Sequence, residues 1–153
     1  PVAPGSQALR ELRAVMAGEG VRVTDIEFVA LKAQAQVADY QPLLAAGAEL
    51  GALSLTVSGD DDDVARLTGN FAALCELARG HGLRVDLEFM RWRPVATLQQ
   101  ACTVVTGAGQ DNGGVLVDAF TCSAPVARWP TSPGSIRVCC VRCSCVMRRC
   151  WRP

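Results

Sequence analysis

The chain has 153 residues, half of them hydrophobic, with 15 basic and 15 acidic side chains and a formal net charge of zero. That length and apolar content suffice for one sizeable core, and no stretch reaches the ~18–20 apolar residues of a membrane-spanning helix or shows a secretory-leader pattern. The neutral total is unevenly spread: residues 1–120 hold all 15 acids against nine bases, a formal −6, while residues 121–153 hold no acid, six arginines and six of the eight cysteines. An acidic body argues against a nucleic-acid backbone as ligand.

The opening PVAPGS reads as a loop, with Ser6 the candidate N-cap of a helix that carries Leu9, Leu12 and Met16 and stops at Gly18–Gly20. A strand follows in VRVTDIEFV. Asp39 is the expected cap of the next helix, with Pro42 tolerated in its first turn and Gly47 and Gly51 marking its end. ALSLTV reads as a continuous apolar strand. SGDDDD leads into a helix whose Val64, Leu67, Phe71, Leu74 and Ala78 form one apolar stripe, closed by Gly80 and Gly82. Acids suit that position because unpaired N–H groups face outward at a helix N-terminus. LRVDLEFM is the third strand, a helix with Leu98, Ala101, Cys102 and Val105 follows, and GGVLVDAF is the fourth strand. Cys75 and Cys102 fall on apolar helix faces, as buried free thiols of a reducing compartment do, which points to the cytoplasm.

The four strands recur about every 31 residues, the size of a βα unit, and right-handed crossovers make them parallel with helices outside. Such a chain is either a doubly wound open sheet or part of an eight-stranded βα barrel. No glycine-rich phosphate loop follows any strand, which weakens the nucleotide-binding alternative. A whole barrel takes about 250 residues, so these units make about half of one.

Residues 121–153 are expected to be aberrant. Cysteine codons begin TG and tryptophan is TGG, so each Cys or Trp preceded by any base spells Leu, Val or Met in the neighbouring frame. One C restored after the Phe120 codon lets the tail read as ordinary α/β sequence with leucines at helical spacing. The rival reading is a Cys-rich metal-binding or interaction module built on Cys140, Cys143, Cys145 and Cys150. Zinc sites usually show two spaced pairs or histidines, whereas the only histidine is His81 and the Cys139–Cys140 doublet fits no common ligand spacing.

Three carboxylates stand where strands are expected to end: Glu27 in DIEF, Glu88 in DLEF and Asp118 in VDAF. A charge at the tip of a buried parallel strand is costly unless it is paired, hydrated or metal-bound. In a βα barrel these tips share one face, where acids from adjacent strands converge as hard oxygen ligands for a divalent cation. Alternatively, each caps the next helix or pairs with Arg91 or Arg93. Trp92, just past the third strand, either stacks on a sugar face or simply packs. His81, between two glycines, is expected to cap a helix C-terminus.

GVRVTDIEFVAL, the SGDDDD turn, GLRVDLEFM with its nearby Trp92, and NGGVLVDAF together resemble the sugar phosphate isomerases/epimerases of the xylose isomerase-like TIM-barrel superfamily, over residues 1–120. The resemblance implies a partial (β/α)8 barrel running from its second helix to its sixth strand. It implies Glu88 as metal ligand and acid/base, Asp118 as a second metal ligand, a divalent ion (Mn, Mg, Co or Zn), and a small sugar or sugar phosphate as substrate. No nucleic-acid or membrane partner is implied, and the intact form is a possible homo-oligomer. The family's histidine after the sixth-strand Asp falls at Thr121, which a restored C would turn into His. A substrate-contacting acid of some members falls at Pro94. Dehydratases and endonucleases of the same superfamily are the alternatives to an isomerase.

Overall fold

The computed structural model of the protein describes residues 3–118 and 137–139. Along the chain lie α1 (Gln7–Gly18), β1 (Asp25–Lys32), a 3-10 turn (Val37–Tyr40), α2 (Gln41–Leu50), β2 (Ser54–Asp60), α3 (Val64–Arg79), β3 (Arg84–Glu88), α4 (Leu98–Ala108), β4 (Gly113–Leu116) and β5 (Arg137–Cys139). The strands form one sheet in the order β1-β2-β3-β4-β5, every neighbouring pair parallel. Parallel neighbours require a crossover, and α2, α3 and α4 supply it between β1 and β4. The result is a partial TIM barrel of about four βα units.

The outer faces of the strands make the core. Leu55 and Val57 of β2, Val85 and Leu87 of β3 and Val115 of β4 are all fully buried, together with Leu67, Phe71 and Leu74 of α3 and Ala101 of α4. The large side chains among them each contribute about 1.5–3 kcal/mol by leaving water. The stripe expected for α3 is therefore the face that covers the sheet, except that Val64 stands 52% exposed at the first turn.

Helix ends follow local chemistry. Ser6 Oγ accepts from Leu9 N–H (3.2 Å), and Thr97 with Gln100 closes a capping box on α4. Gly109 ends α4 in the left-handed region at φ 64°, where a side chain would be strained. His81 donates its backbone N–H to Ala78 O (2.9 Å), so its role in closing α3 is a backbone one.

Three sequence expectations are corrected. Asp39 does not cap α2: it lies inside the 3-10 turn, and the N-cap is Tyr40, without a side-chain hydrogen bond. Gly47 does not end α2. It is buried in mid-helix, and a Cβ built there would run into Ile26, so the missing side chain lets α2 lie directly on β1. Glu27 does not end a strand. Residues 21–24 are not in β1, which starts at Asp25, carries an irregularity between Ile26 and Val29, and continues to Lys32. Glu27 is thus an exposed third residue, in the irregular stretch between the Leu55 and Val57 levels of β2 and short of the strand's tip.

The tail expected to be irregular supplies β5, in register with β4 through Gly114↔Arg137, Val115↔Val138 and Leu116↔Cys139. Thr121, Cys140, Cys143, Cys145 and Cys150, and the out-of-frame reading as a whole, lie outside the described residues.

Candidate active site at the strand C-termini

Strict alternation along β2 sets the chemistry of the inner face. Ser54, Thr56, Ser58 and Asp60 take one side, Leu55, Val57 and Gly59 the other. Residues paired across parallel strands share a face, so the pairs Ser54↔Arg84, Thr56↔Asp86 and Ser58↔Glu88 continue the polar side onto β3. On β4 the same face presents Gly114 and Leu116, the partners of Asp86 and Glu88, so the polar run stops at β3. Over β2 and β3 the inner face is therefore polar and hydrogen-bonded while the outer face is apolar.

Its lower layer is hydrogen-bonded within itself, although Arg84 Nε is buried without a hydrogen-bond partner among the described residues. Asp25 accepts from Ser54 Oγ (2.8 Å) and Thr56 Oγ1 (2.6 Å), and Arg84 Nη2 donates to Asp86 Oδ2 (3.1 Å). Glu88 stands one step higher, at the last position of β3, 8% exposed. Asp118 follows β4 by two residues and is half-buried; β4 ends at Leu116, the in-register partner of Glu88. The two carboxylates therefore belong to adjacent strands and to the same end of the sheet, within two residues of one level.

Asp60, at the tip of β2, is a charged member of this end that the sequence reading did not single out. Ser58 Oγ donates to Asp60 Oδ1 (2.9 Å) and Arg93 Nη1 to Asp60 Oδ2 (2.5 Å), with the carboxylate side chain 8% exposed. The S-x-T-x-S-x-D alternation of β2 is the signal that marks it. The guanidinium of Arg93 also lies over the Phe28 ring, 5.8 Å from its centroid. Arg91 is exposed. Trp92 is 66% exposed in the loop between β3 and α4.

Asp61 and Asp63 of the same aspartate run shape the start of α3. Asp63 caps α3 by accepting from Arg66 N–H (3.0 Å). Asp61 takes a two-pronged contact from Arg66, Nε at 2.7 Å and Nη2 at 2.6 Å, and accepts from Asp63 N–H. The hydrogen bonds from Arg66 hold the Asp61 carboxyl below the usual carboxylate range despite its burial. Cys75 is fully buried and Cys102 half-buried, and burial pushes the Cys75 thiol up to about 12.

Among the described residues, no group of three or more His, Cys, Asp or Glu side chains is close enough to hold a metal ion. Glu88 and Asp118 offer hard oxygen, the right donor type for a divalent cation, and further donors have to come from outside the described residues. None of the described helices is long and apolar enough to cross a membrane.

No protein-family model matches the chain, and the comparison with curated proteins gives no match. Solved structures do match. A xylose isomerase-like TIM barrel/4-hydroxyphenylpyruvate dioxygenase fusion protein superposes with a TM-score of 0.66 at 23% identity, over 74% of this chain and 20% of that one. The IOLI protein, solved with a bound zinc atom, gives 0.62 at 16% identity over 76% and 48%. D-psicose 3-epimerase from Clostridium cellulolyticum H10, solved with D-tagatose, gives 0.62 at 19% identity over 74% and 48%. The chain thus spans between about a fifth and a half of the length of these structures. Their likeness shows the fold: the described sheet is a segment of a TIM barrel.

Proposed function

We propose that residues 1–120 are part of a metal-dependent sugar or sugar-phosphate isomerase or epimerase, to which this chain contributes Glu88 and Asp118. The observation that carries the reading is Glu88 itself: a buried carboxylate at the C-terminal tip of a barrel strand, on the polar inner face, in register with Ser58. Barrel active sites are built at that end. The zinc in the IOLI protein and the D-tagatose in the epimerase support a cation and a sugar as the ligands.

Glu88 and Asp118 would hold the cation, which when bound supplies Lewis-acid stabilisation of oxygens on the sugar. Glu88 removes a proton from the carbon next to the sugar carbonyl, giving an enediolate, and the site returns a proton to the neighbouring carbon or to the other face. The first outcome is isomerisation and the second epimerisation. Trp92 offers a flat apolar surface to the sugar.

With Thr121 in place of a histidine, the chain as written is proposed to be inactive, and residues 121–153 to be out-of-frame text. Sequencing the DNA across the Phe120–Thr121 codons decides that point. For the activity, the frame-restored protein is titrated with Mn2+ and assayed on ketoses: one bound ion and metal-dependent turnover are expected. A restored protein that binds no divalent ion ends the isomerase reading.

A further inference from the structure

The loop between β3 and α4 is tied to β2 at two points. Val95 N–H donates to Gly59 O (3.3 Å), and Arg93 reaches Asp60 at the tip of the same strand. The loop is also closed on itself, through Arg93 N–H to Met90 O (2.8 Å) and Met90 N–H to Val95 O (3.0 Å). Val95 is 4% exposed, so the loop is anchored in the core although Trp92 at its turn is open to solvent. Asp60 links both sides of this arrangement. One of its oxygens takes the hydroxyl of Ser58, the residue beside Glu88, and the other takes the loop's arginine, whose guanidinium lies over Phe28 of β1.

We infer that Asp60 is a positioning residue: with Arg93 it clasps the β3–α4 loop into a fixed shelf that holds Trp92 at the mouth beside Glu88. The clasp is a half-shielded ion pair, in which removing one partner strands the other charge. Through Phe28, Arg93, Asp60 and Ser58 the loop after β3 is joined to both β1 and β2. The shelf is therefore preorganised before any ligand arrives, as a ligand platform must be to act without an ordering cost. The part of the inference concerning the mouth rests on the reading of Glu88 given above; the clasp itself does not.

Trp92 reports on the shelf once Trp129→Phe and Trp151→Phe leave it the sole tryptophan. In that background, acrylamide quenching of Trp92 is measured with Asp60→Asn, Arg93→Met and Arg93→Lys, alongside far-UV circular dichroism. Arg93→Met and Asp60→Asn are expected to raise the quenching constant by up to about half, the room left above the 66% exposure of Trp92, and Arg93→Lys, which keeps the ion pair, to stay near the parent. Unchanged quenching in both Asp60→Asn and Arg93→Met overturns the clasp. Hydrogen exchange of the parent gives an answer even if a variant fails to fold. The Arg93 and Val95 amides are expected to exchange as slowly as those of α4, and exchange at open-loop rates overturns the shelf. In the frame-restored protein, Asp60→Asn is further expected to weaken Mn2+ binding about tenfold. Failure of the parent to bind Mn2+ removes the reading of Glu88 and leaves the quenching result to decide the clasp. Full-affinity Mn2+ binding in Asp60→Asn overturns the coupling to Glu88.

Discussion

Val95 sits on the backbone of Gly59: its side chain fills the space where a β-carbon at position 59 would be, and Leu67 Cδ2 lies only 2.9 Å from that point. Both neighbours are core residues with little room to retreat, Val95 4% exposed and Leu67 fully buried. Gly59→Ala is accordingly expected to lower stability by about 1–3 kcal/mol, the usual cost of overpacking. Urea unfolding followed by circular dichroism measures it. A loss under half of that range means that the loop yields without strain.

Chemistry at the mouth separates by residue. In the frame-restored protein, Glu88→Gln and Asp118→Asn are each expected to weaken Mn2+ by at least about tenfold, which is ~1.4 kcal/mol. Trp92→Ala leaves Mn2+ affinity alone and raises KM for a ketose severalfold, since a stacked aromatic contributes about 0.5–1.5 kcal/mol beyond area. Calorimetric titration with Mn2+ and steady-state kinetics give the two readouts. A Trp92 effect on metal affinity places the indole at the cation instead of the sugar.

Acid tests the α3 N-terminus. The Asp61 carboxyl is held low when folded by its hydrogen bonds to Arg66, so at low pH the unfolded chain takes up its proton first. Its stabilising effect is fully present above the ordinary carboxyl range near pH ~4 and is lost as pH falls through the lowered folded value. Asp61→Asn is expected to flatten the acid limb of a plot of stability against pH, leaving the neutral region without slope from this group. An acid limb unchanged by the substitution assigns that loss to other carboxyls.

Thiol reactivity sorts the helix cysteines. With its thiol pushed up to about 12 by burial, Cys75 carries almost no thiolate near pH 8 and has no path for reagent. Iodoacetamide labelling read site by site by mass spectrometry is expected to spare Cys75 in the native protein and to modify it in urea. Labelling of native Cys75 at the rate of an open thiol means that α3 opens far more often than its packing implies.

The alternation of helices and strands was readable because each α3 or α4 position that faces the sheet is apolar and each end has its own punctuation, Ser6, Asp63, Thr97 and Gly109. What misled lay where tertiary contact overrides local signals. Gly47 has the look of a stop, yet it serves a close approach of helix and strand that no local pattern reveals. DIEF and DLEF look alike as text, but β1 runs on to Lys32, so Glu27 falls inside its strand whereas Glu88 ends its own. Asp60 was hidden among four consecutive aspartates whose partners are unrelated: Arg93 for Asp60, Arg66 for Asp61 and the α3 backbone for Asp63. That Glu88 and Asp118 stand at the same end of the sheet was legible because each comes at or just after a run of residues that reads as a strand.

The two-sided character of β2 makes its length less forgiving than its composition. Ser54, Thr56 and Ser58 are interchangeable in kind with other small polar groups, but inserting or deleting one residue before Asp60 would turn the hydroxyls toward Phe71 and Leu74 and the leucine and valine toward the buried carboxylates of the inner face. Substitutions in this segment should prove far better tolerated than single-residue indels.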